Sequence, residues 1–182
     1  MGCTLIADRG NDAEVVCAVV EVEAYLGIDD PASHAFRGPT PRAAIMFGPP
    51  GHLYVYFSYG MHHCANVVTG RDGVAGAVLL RAAAVQSGEG TVRFRRGSAA
   101  GFDRLLSGPG NLCRGLGIGL PDNGADLVRE GRFMLLRAGR HPAVEAGPRV
   151  GISRAADLPL RFWWREHPAV SRTRKGPVIA GP

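Results

Sequence analysis

The sequence predicts one α+β domain dominated by antiparallel strands, and three observations carry that reading. The first is a strand, Val19-Val20-Glu21-Val22-Glu23-Ala24-Tyr25. Strand side chains alternate between faces, so Val20, Val22 and Ala24 are expected on one face and Glu21, Glu23 and Tyr25 on the other. The second is a hairpin, His52 to Ser58 and His62 to Val68, turning at Tyr59-Gly60-Met61. The third is size and composition. A chain of 182 residues, 46% hydrophobic and 20% charged, has material for one good core and is not disordered. We expect a single domain over residues 1–182.

In chain order, residues 3–7 read as a short strand, and Asp8-Arg9-Gly10-Asn11-Asp12 supplies turn chemistry. Residues 14–25 form a longer strand, so the chain opens on a hairpin; a strand so near the start leads us to expect a preceding helix. Leu26 to Gly51 is too rich in Gly and Pro for a sheet interior. With His34, Phe36, Met46 and Phe47 along it, it reads as an ordered loop lining a substrate. Val74 to Val85 is a buried strand, broken by Gln86 to Gly90. Thr91 to Arg96 and Gly101 to Leu106 read as helical pieces around a flexible Gly97-Ser98-Ala99-Ala100. Pro109 and Gly110 open a helix over about Asn111 to Leu116. Phe133 to Leu136 is a strand, Pro148 to Ile152 leads to another, and Leu160 to Trp164 is the last. Residues 172–182 form a polar tail expected to fray.

Charge and cysteine usage narrow the function classes. Net charge is +5 and Lys175 is the only lysine, so the basic surface is arginine. Arginine suits bidentate phosphate contacts, although a GC-rich coding sequence would also favour Arg, Ala and Gly. No apolar run approaches the ~20 residues of a membrane span. The first residues lack the pattern of a signal peptide. Cys3, Cys17, Cys64 and Cys113 have no CxxC spacing and read as reduced thiols, which points to the cytoplasm. His62-His63-Cys64 cannot converge on one ion from a strand, so no metal site is expected.

Glu23 is the candidate base. A buried carboxylate beside a reacting centre can activate water or stabilise a developing cation. Spacing alone favours the plainer reading, an edge glutamate in a salt bridge. Arg81 ends an apolar run that should be interior, and a buried arginine calls for a carboxylate. All four tyrosines (Tyr25, Tyr54, Tyr56, Tyr59) fall within 35 residues. Aromatic faces can sandwich a flat heterocycle for ~1–3 kcal/mol per base, comparable to the cost of unstacking one from a duplex. Tyr54 reads as core. Tyr59, beside Gly60 at a hairpin tip, reads instead as a wedge between base pairs.

These motifs follow one another in an order that resembles a known family. Glu21-Val22-Glu23-Ala24-Tyr25-Leu26-Gly27, His34, Thr40-Pro41-Arg42, Met46-Phe47-Gly48, Leu53-Tyr54-Val55-Tyr56, Tyr59-Gly60-Met61 and Cys64-Ala65-Asn66 carry it. Ala77 to Ala82, Gly108 to Cys113, Arg149 to Ile152 and Leu160 to Phe162 extend it over nearly the whole chain. Together they resemble the 3-methyladenine DNA glycosylases of the alkyladenine, vertebrate-like type. The resemblance implies a curved, open-barrel-like antiparallel sheet with a protruding hairpin. It implies Glu23 as the base that activates water, with Arg81 and a backbone carbonyl from the 149–153 stretch holding that water. Tyr25, His34 and Tyr56 would line the base pocket, and Asn66 would crowd the exocyclic amine of guanine. Tyr59 would enter the duplex with Met61 beside it, and Arg42 would meet a phosphate. Asn111 departs from a lysine common in relatives, and Thr91 to Ala100 does not match clearly.

The expected function is therefore monofunctional hydrolysis of the N-glycosidic bond of damaged purines, alkylated or deaminated, flipped from duplex DNA by a monomer without a cofactor. An amine nucleophile would want a lysine, and Lys175 in a polar tail is a poor one. Two other readings remain open. One is a non-enzymatic protein that senses damaged duplex with the same hairpin. The other is a small-molecule hydrolase whose basic charge is compositional; salt-dependent DNA binding separates it from the first two.

Overall fold

The computed structural model describes residues 1–97, 99–139 and 142–172. Its frame is a strongly curled antiparallel sheet that forms a half-barrel. The strands are β1 (Thr4–Ala7), β2 (Val15–Tyr25), β3 (Leu53–Ser58), β4 (His62–Val68), β5 (Ala77–Ser87), β6 (Leu106–Ser107), β7 (Phe133–Leu136), β8 (Val144–Gly147) and β9 (Arg161–Trp164). Their order is β3-β4-β5-β2-β1-β7, with β6 on β5, and β9 joining β2 to β8. Strand β2 is the hub. Its first half pairs with β1, its second half with β9, and its whole length with β5.

The alternation expected along β2 is broken at one place. The β2–β5 register shifts on both sides of Glu21, so Val19 meets Ala83, Glu21 meets Ala82, and Val22 meets Leu80. A bulge adds a residue and re-aims the side chains after it. Val15, Cys17, Val19 and Val22 therefore all enter the main core, whereas Val20 packs with Ala82 and Ala169 in another cluster. Val20 and Val22 do not share a face, contrary to the simple period of two. Glu21 and Glu23 do reach one partner, Arg81.

Helices α1 (Glu89–Arg96) and α2 (Pro109–Leu116) cover the core side of the sheet. Leu112, Cys113 and Leu116 of α2 and Val92 of α1 join Leu5, Leu80 and Phe133 in the main core. Full burial of such an aliphatic side chain is worth ~1.5–3 kcal/mol. A second cluster of Ala35, Ala43, Met46, Tyr54, Val68, Ala75 and Ala77 lies beneath the long loop. That packing explains why a Gly- and Pro-rich stretch is ordered. Gly27 is required at its start, because a Cβ there would lie 2.2 Å from the Ala75 carbonyl oxygen and its φ is +78°.

Three local expectations change. Gly101 to Leu106 is not a helical piece: only Phe102–Arg104 forms a 3-10 turn, and Leu106 then enters β6, where Ala83 of β5 supplies a partner. The strand near Pro148 precedes that residue, at Val144–Gly147, since proline removes a ladder donor. Strand β5 starts at Ala77, after the expected Val74, and ends at Ser87, two residues into the expected break at Gln86 to Gly90. Ser98, of the expected flexible 97–100 segment, and residues 173–182 of the expected tail lie outside the described residues.

The hairpin protrudes because β5 pairs with β4 only at Asn66, Val67 and Val68. At its tip Tyr59 and Gly60 have φ of +50° and +65°, and the Met61 amide donates to the Ser58 carbonyl. Two consecutive left-handed residues fit the right-handed twist of a tight hairpin. A tyrosine pays more for that backbone than glycine does, and strain of this kind gathers at functional sites.

Candidate active site

The curled sheet, the long loop and the hairpin enclose a cavity of about 370 Å³. The elements converge because β2 and β5 meet at the bulge while loop residues 32–46 fold over β3. Its walls include Tyr25, His34, Tyr56 and Asn66, with Arg81 and Val150 toward the β2 side. Glu23 itself is 0% exposed and lies behind this wall. Three groups hold it. Arg81 Nη1 is 3.2 Å from Oε1, the Val150 amide donates to Oε1 at 2.7 Å, and the Tyr25 hydroxyl donates to Oε2 at 3.1 Å. The 149–153 stretch thus presents an N–H to Glu23. Burial first, and the adjacent Glu23 second, push the Tyr25 phenol well above its ordinary value, so it keeps the proton it donates.

Arg81 is shared. Its Nε donates to Glu21 Oε1 at 2.8 Å and its Nη2 to Ser171 Oγ at 3.3 Å. Burial alone would raise Glu21, but Arg81 and Arg161 outweigh it and hold its carboxyl below the usual range. Tyr25 is set from behind. The Arg149 guanidinium lies 4.7 Å from its ring centre and is clamped by Asp30. Asp30 also accepts the amides of Leu26 and Ala32, which fixes the start of the long loop.

On the opposite wall, His34 Nδ1 lies 2.9 Å from the Tyr54 hydroxyl and its ring meets Tyr56 edge-on at 4.7 Å. Part of His34 reaches solvent, yet desolvation against these rings, and then Arg42, lower it from its ordinary value. The buried Asn66 donates its Nδ2 to the Tyr54 carbonyl at 3.1 Å. Arg42 is exposed, with its guanidinium 4.8 Å from the Tyr56 ring centre. Tyr59 is 80% exposed at the cavity rim, tethered by its hydroxyl to the Gly151 carbonyl at 3.2 Å. Met61 is 68% exposed beside it on the turn.

This geometry can hold a flat heterocycle between aromatic walls, with a buried, hydrogen-bonded carboxylate behind one of them. The methylpurine-DNA glycosylase family model matches residues 1–168. The chain belongs to that family. Relatives named "Putative 3-methyladenine DNA glycosylase" agree with it. One from Mycobacterium sp. (strain KMS) is 50% identical over 92% of this chain and 85% of its own length. One from Cutibacterium acnes is 52% identical over 86% and 85%. A third, from Mycobacterium tuberculosis, is 48% identical over 96% and 86%.

For a methylpurine-DNA glycosylase family member, the structure also brings in residues that sequence reasoning missed. Tyr54, read as core, is buried, but its hydroxyl engages His34 at the cavity. Cys64 lines the cavity near Tyr56. Asp30 and Arg149 are 119 residues apart, and no local pattern joins them. Glu21 could have been found, since it shares spacing and face with Glu23. Among the described residues no group of three or more His, Cys, Asp or Glu is placed to hold a metal. No described helix is long and apolar enough to cross a membrane.

Proposed function

We propose that this protein is a monofunctional glycosylase of base excision repair that removes alkylated or deaminated purines from duplex DNA. The observation that carries the reading is the Tyr25–Glu23–Arg81 unit at the wall of an aromatic cavity beside an exposed, strained Tyr59. The flipped purine stacks on the free face of Tyr25 and against Tyr56 and His34. Tyr59, with Met61 beside it, fills the gap left in the duplex. Arg42 leaves the Tyr56 ring to meet a phosphate. Asn66, its amide fixed by the Tyr54 carbonyl, crowds the exocyclic amine that marks guanine.

In the reaction, water attacks C1′ of the sugar, Glu23 takes its proton, and the N-glycosidic bond breaks with its electron pair leaving on the purine; an alkylated, cationic purine leaves neutral, and a neutral lesion takes up a proton from solvent as it leaves. The products are the free base and an abasic sugar. Arg81 places a positive charge 3.2 Å from the carboxylate that receives the proton. Because Glu23 lies behind Tyr25, the Tyr25 hydroxyl gives way to the water at Oε2. The protein acts as a monomer, in the cytoplasm, on the nucleoid.

The test is incubation of the protein with duplexes carrying hypoxanthine, ethenoadenine or 3-methyladenine. The reading expects free base and an intact strand that is cut only on alkali treatment. Tight binding to damaged duplex without base release would instead establish the non-enzymatic sensor. Strand cleavage without alkali would contradict hydrolysis by water.

A further inference from the structure

Glu21 has no part in the chemistry above, yet it is a heavily bonded carboxylate beside it, accepting four hydrogen bonds among the described residues. It is 0% exposed. Its Oε1 accepts Nε of Arg81 at 2.8 Å, Nε of Arg161 at 2.7 Å and the Ser171 hydroxyl at 2.8 Å, and its Oε2 accepts the Ser171 amide at 2.6 Å. The partners come from three separate stretches: β5, β9 and the segment after β9. That segment is itself tied down, because Arg104 donates to the carbonyls of Pro168 and Val170. Glu21, Glu23, Arg81 and Arg161 thus form one buried group of two negative and two positive charges.

We propose that Glu21 is a positioning residue that acts through Arg81. It holds the guanidinium with Nε on Glu21 and Nη1 toward Glu23, and it balances a charge that would otherwise fall on Glu23 alone. Arg81 spends Nε on Glu21 and Nη2 on Ser171. Without Glu21, the whole fork turns toward Glu23 and ties up the lone pairs that must accept a proton. The group also becomes net positive, which opposes protonation of the base. Among the described residues, the other charged or titratable groups facing the pair are Tyr25 on β2, Cys64 on β4, and Arg149 with Asp30. Arg149 and Asp30 neutralise each other, so the Arg81–Arg161 balance governs.

The inference rests on Glu23 being the base, and removing a charge of each sign separates the two claims. Single-turnover excision is measured against pH for the full-length wild type, Glu21→Gln, Arg161→Gln and Ser171→Ala. Glu21→Gln leaves the group net positive: the acid limb should move down by about one pH unit and the plateau rate should fall at least tenfold. Arg161→Gln leaves it net negative, and the limb should move up. Ser171→Ala removes both hydrogen bonds of that hydroxyl, the one to Glu21 and the one from Arg81 Nη2, but no charge, and its limb should stay in place. A structural ion cluster would lower rates without moving the limb. Limbs that stay put in both charge variants, or move the same way, overturn the proposal. So does Ser171→Ala moving the limb as far as Glu21→Gln. If one charge variant fails to fold, the sign of the other decides. A wild type that excises no base defeats the underlying glycosylase reading instead.

Discussion

Arg149 lies against one face of Tyr25, 4.7 Å from the ring centre, and so leaves that ring one open face. The arginine is fixed in turn by Asp30, with which it shares a fork. A single buried pair therefore orients both the stacking ring and the hydroxyl that reaches Glu23.

Substitution of Tyr25 should separate the two uses of the side chain. Tyr25→Phe keeps the stacking surface and removes a donor to a buried carboxylate, which should cost about 1–3 kcal/mol of stability. Lesion affinity should stay close to wild type. Tyr25→Ala should also change the ranking among lesions. Urea unfolding and binding to three lesion duplexes check both; lesion affinity lost in Tyr25→Phe with unchanged stability would contradict the assignment.

The Asp30–Arg149 pair should give an acid-sensitive share of stability. Burial would raise Asp30, but the Arg149 fork and the amides of Ala32 and Leu26 outweigh it, so its carboxyl lies below the ordinary value of 3.8. A carboxylate depressed in the folded state contributes stability above its unfolded value and loses it as pH falls through the folded one. Asp30→Asn should therefore cost on the order of 3 kcal/mol at neutral pH. The gap from wild type should close as pH falls below the unfolded value of 3.8. Urea unfolding at neutral pH and in acid measures this, and a pH-independent gap would contradict it.

How much of this was readable beforehand follows from the range of each interaction. The strands, the hairpin and α2 follow from local alternation, turn residues and the Pro-Gly opening. The bulge at Val20–Glu21 leaves no such mark, since it depends on how β5 pairs beside it. Glu23 and Arg81 could be matched by the rule that buried charges need partners. The Asp30–Arg149 clamp and the capping of Glu21 by Ser171 join residues 119 and 150 positions apart, and periodicity carries nothing at that range. Tyr54 was hidden differently, for a tyrosine can bury its ring in a core and still present its hydroxyl to a cavity.

The hairpin tip should act alike on every lesion. Tyr59 is exposed and held by one hydrogen bond to Gly151, and in the proposed role it would stabilise the flipped state without touching the base. Tyr59→Ala should reduce flipping by a similar factor across lesions, and least at strongly mispaired sites, which already open easily. Stopped-flow fluorescence of a flipping-sensitive base reads this. Reordered lesions with flipping intact would make Tyr59 a pocket residue.

Arg42 should contribute through charge. A transfer from the Tyr56 ring to a phosphate, as proposed, predicts that Arg42→Ala weakens damaged and undamaged duplex alike. The slope of log K against log salt should flatten by about one unit. Titrations over a range of salt concentrations decide it, and an unchanged slope would leave Arg42 as a pocket residue over Tyr56.

The most direct test of the account is the single-turnover rate of Glu23→Gln on a lesion duplex, measured beside its DNA affinity. Glutamine keeps the shape and loses the proton acceptor. The account predicts a rate lower by ~10²–10⁴, the usual worth of a general base, with affinity near wild type. A variant that keeps more than about a third of the wild-type rate, where the loss of a base should cost at least ~10², would remove Glu23 from the role on which the mechanism stands.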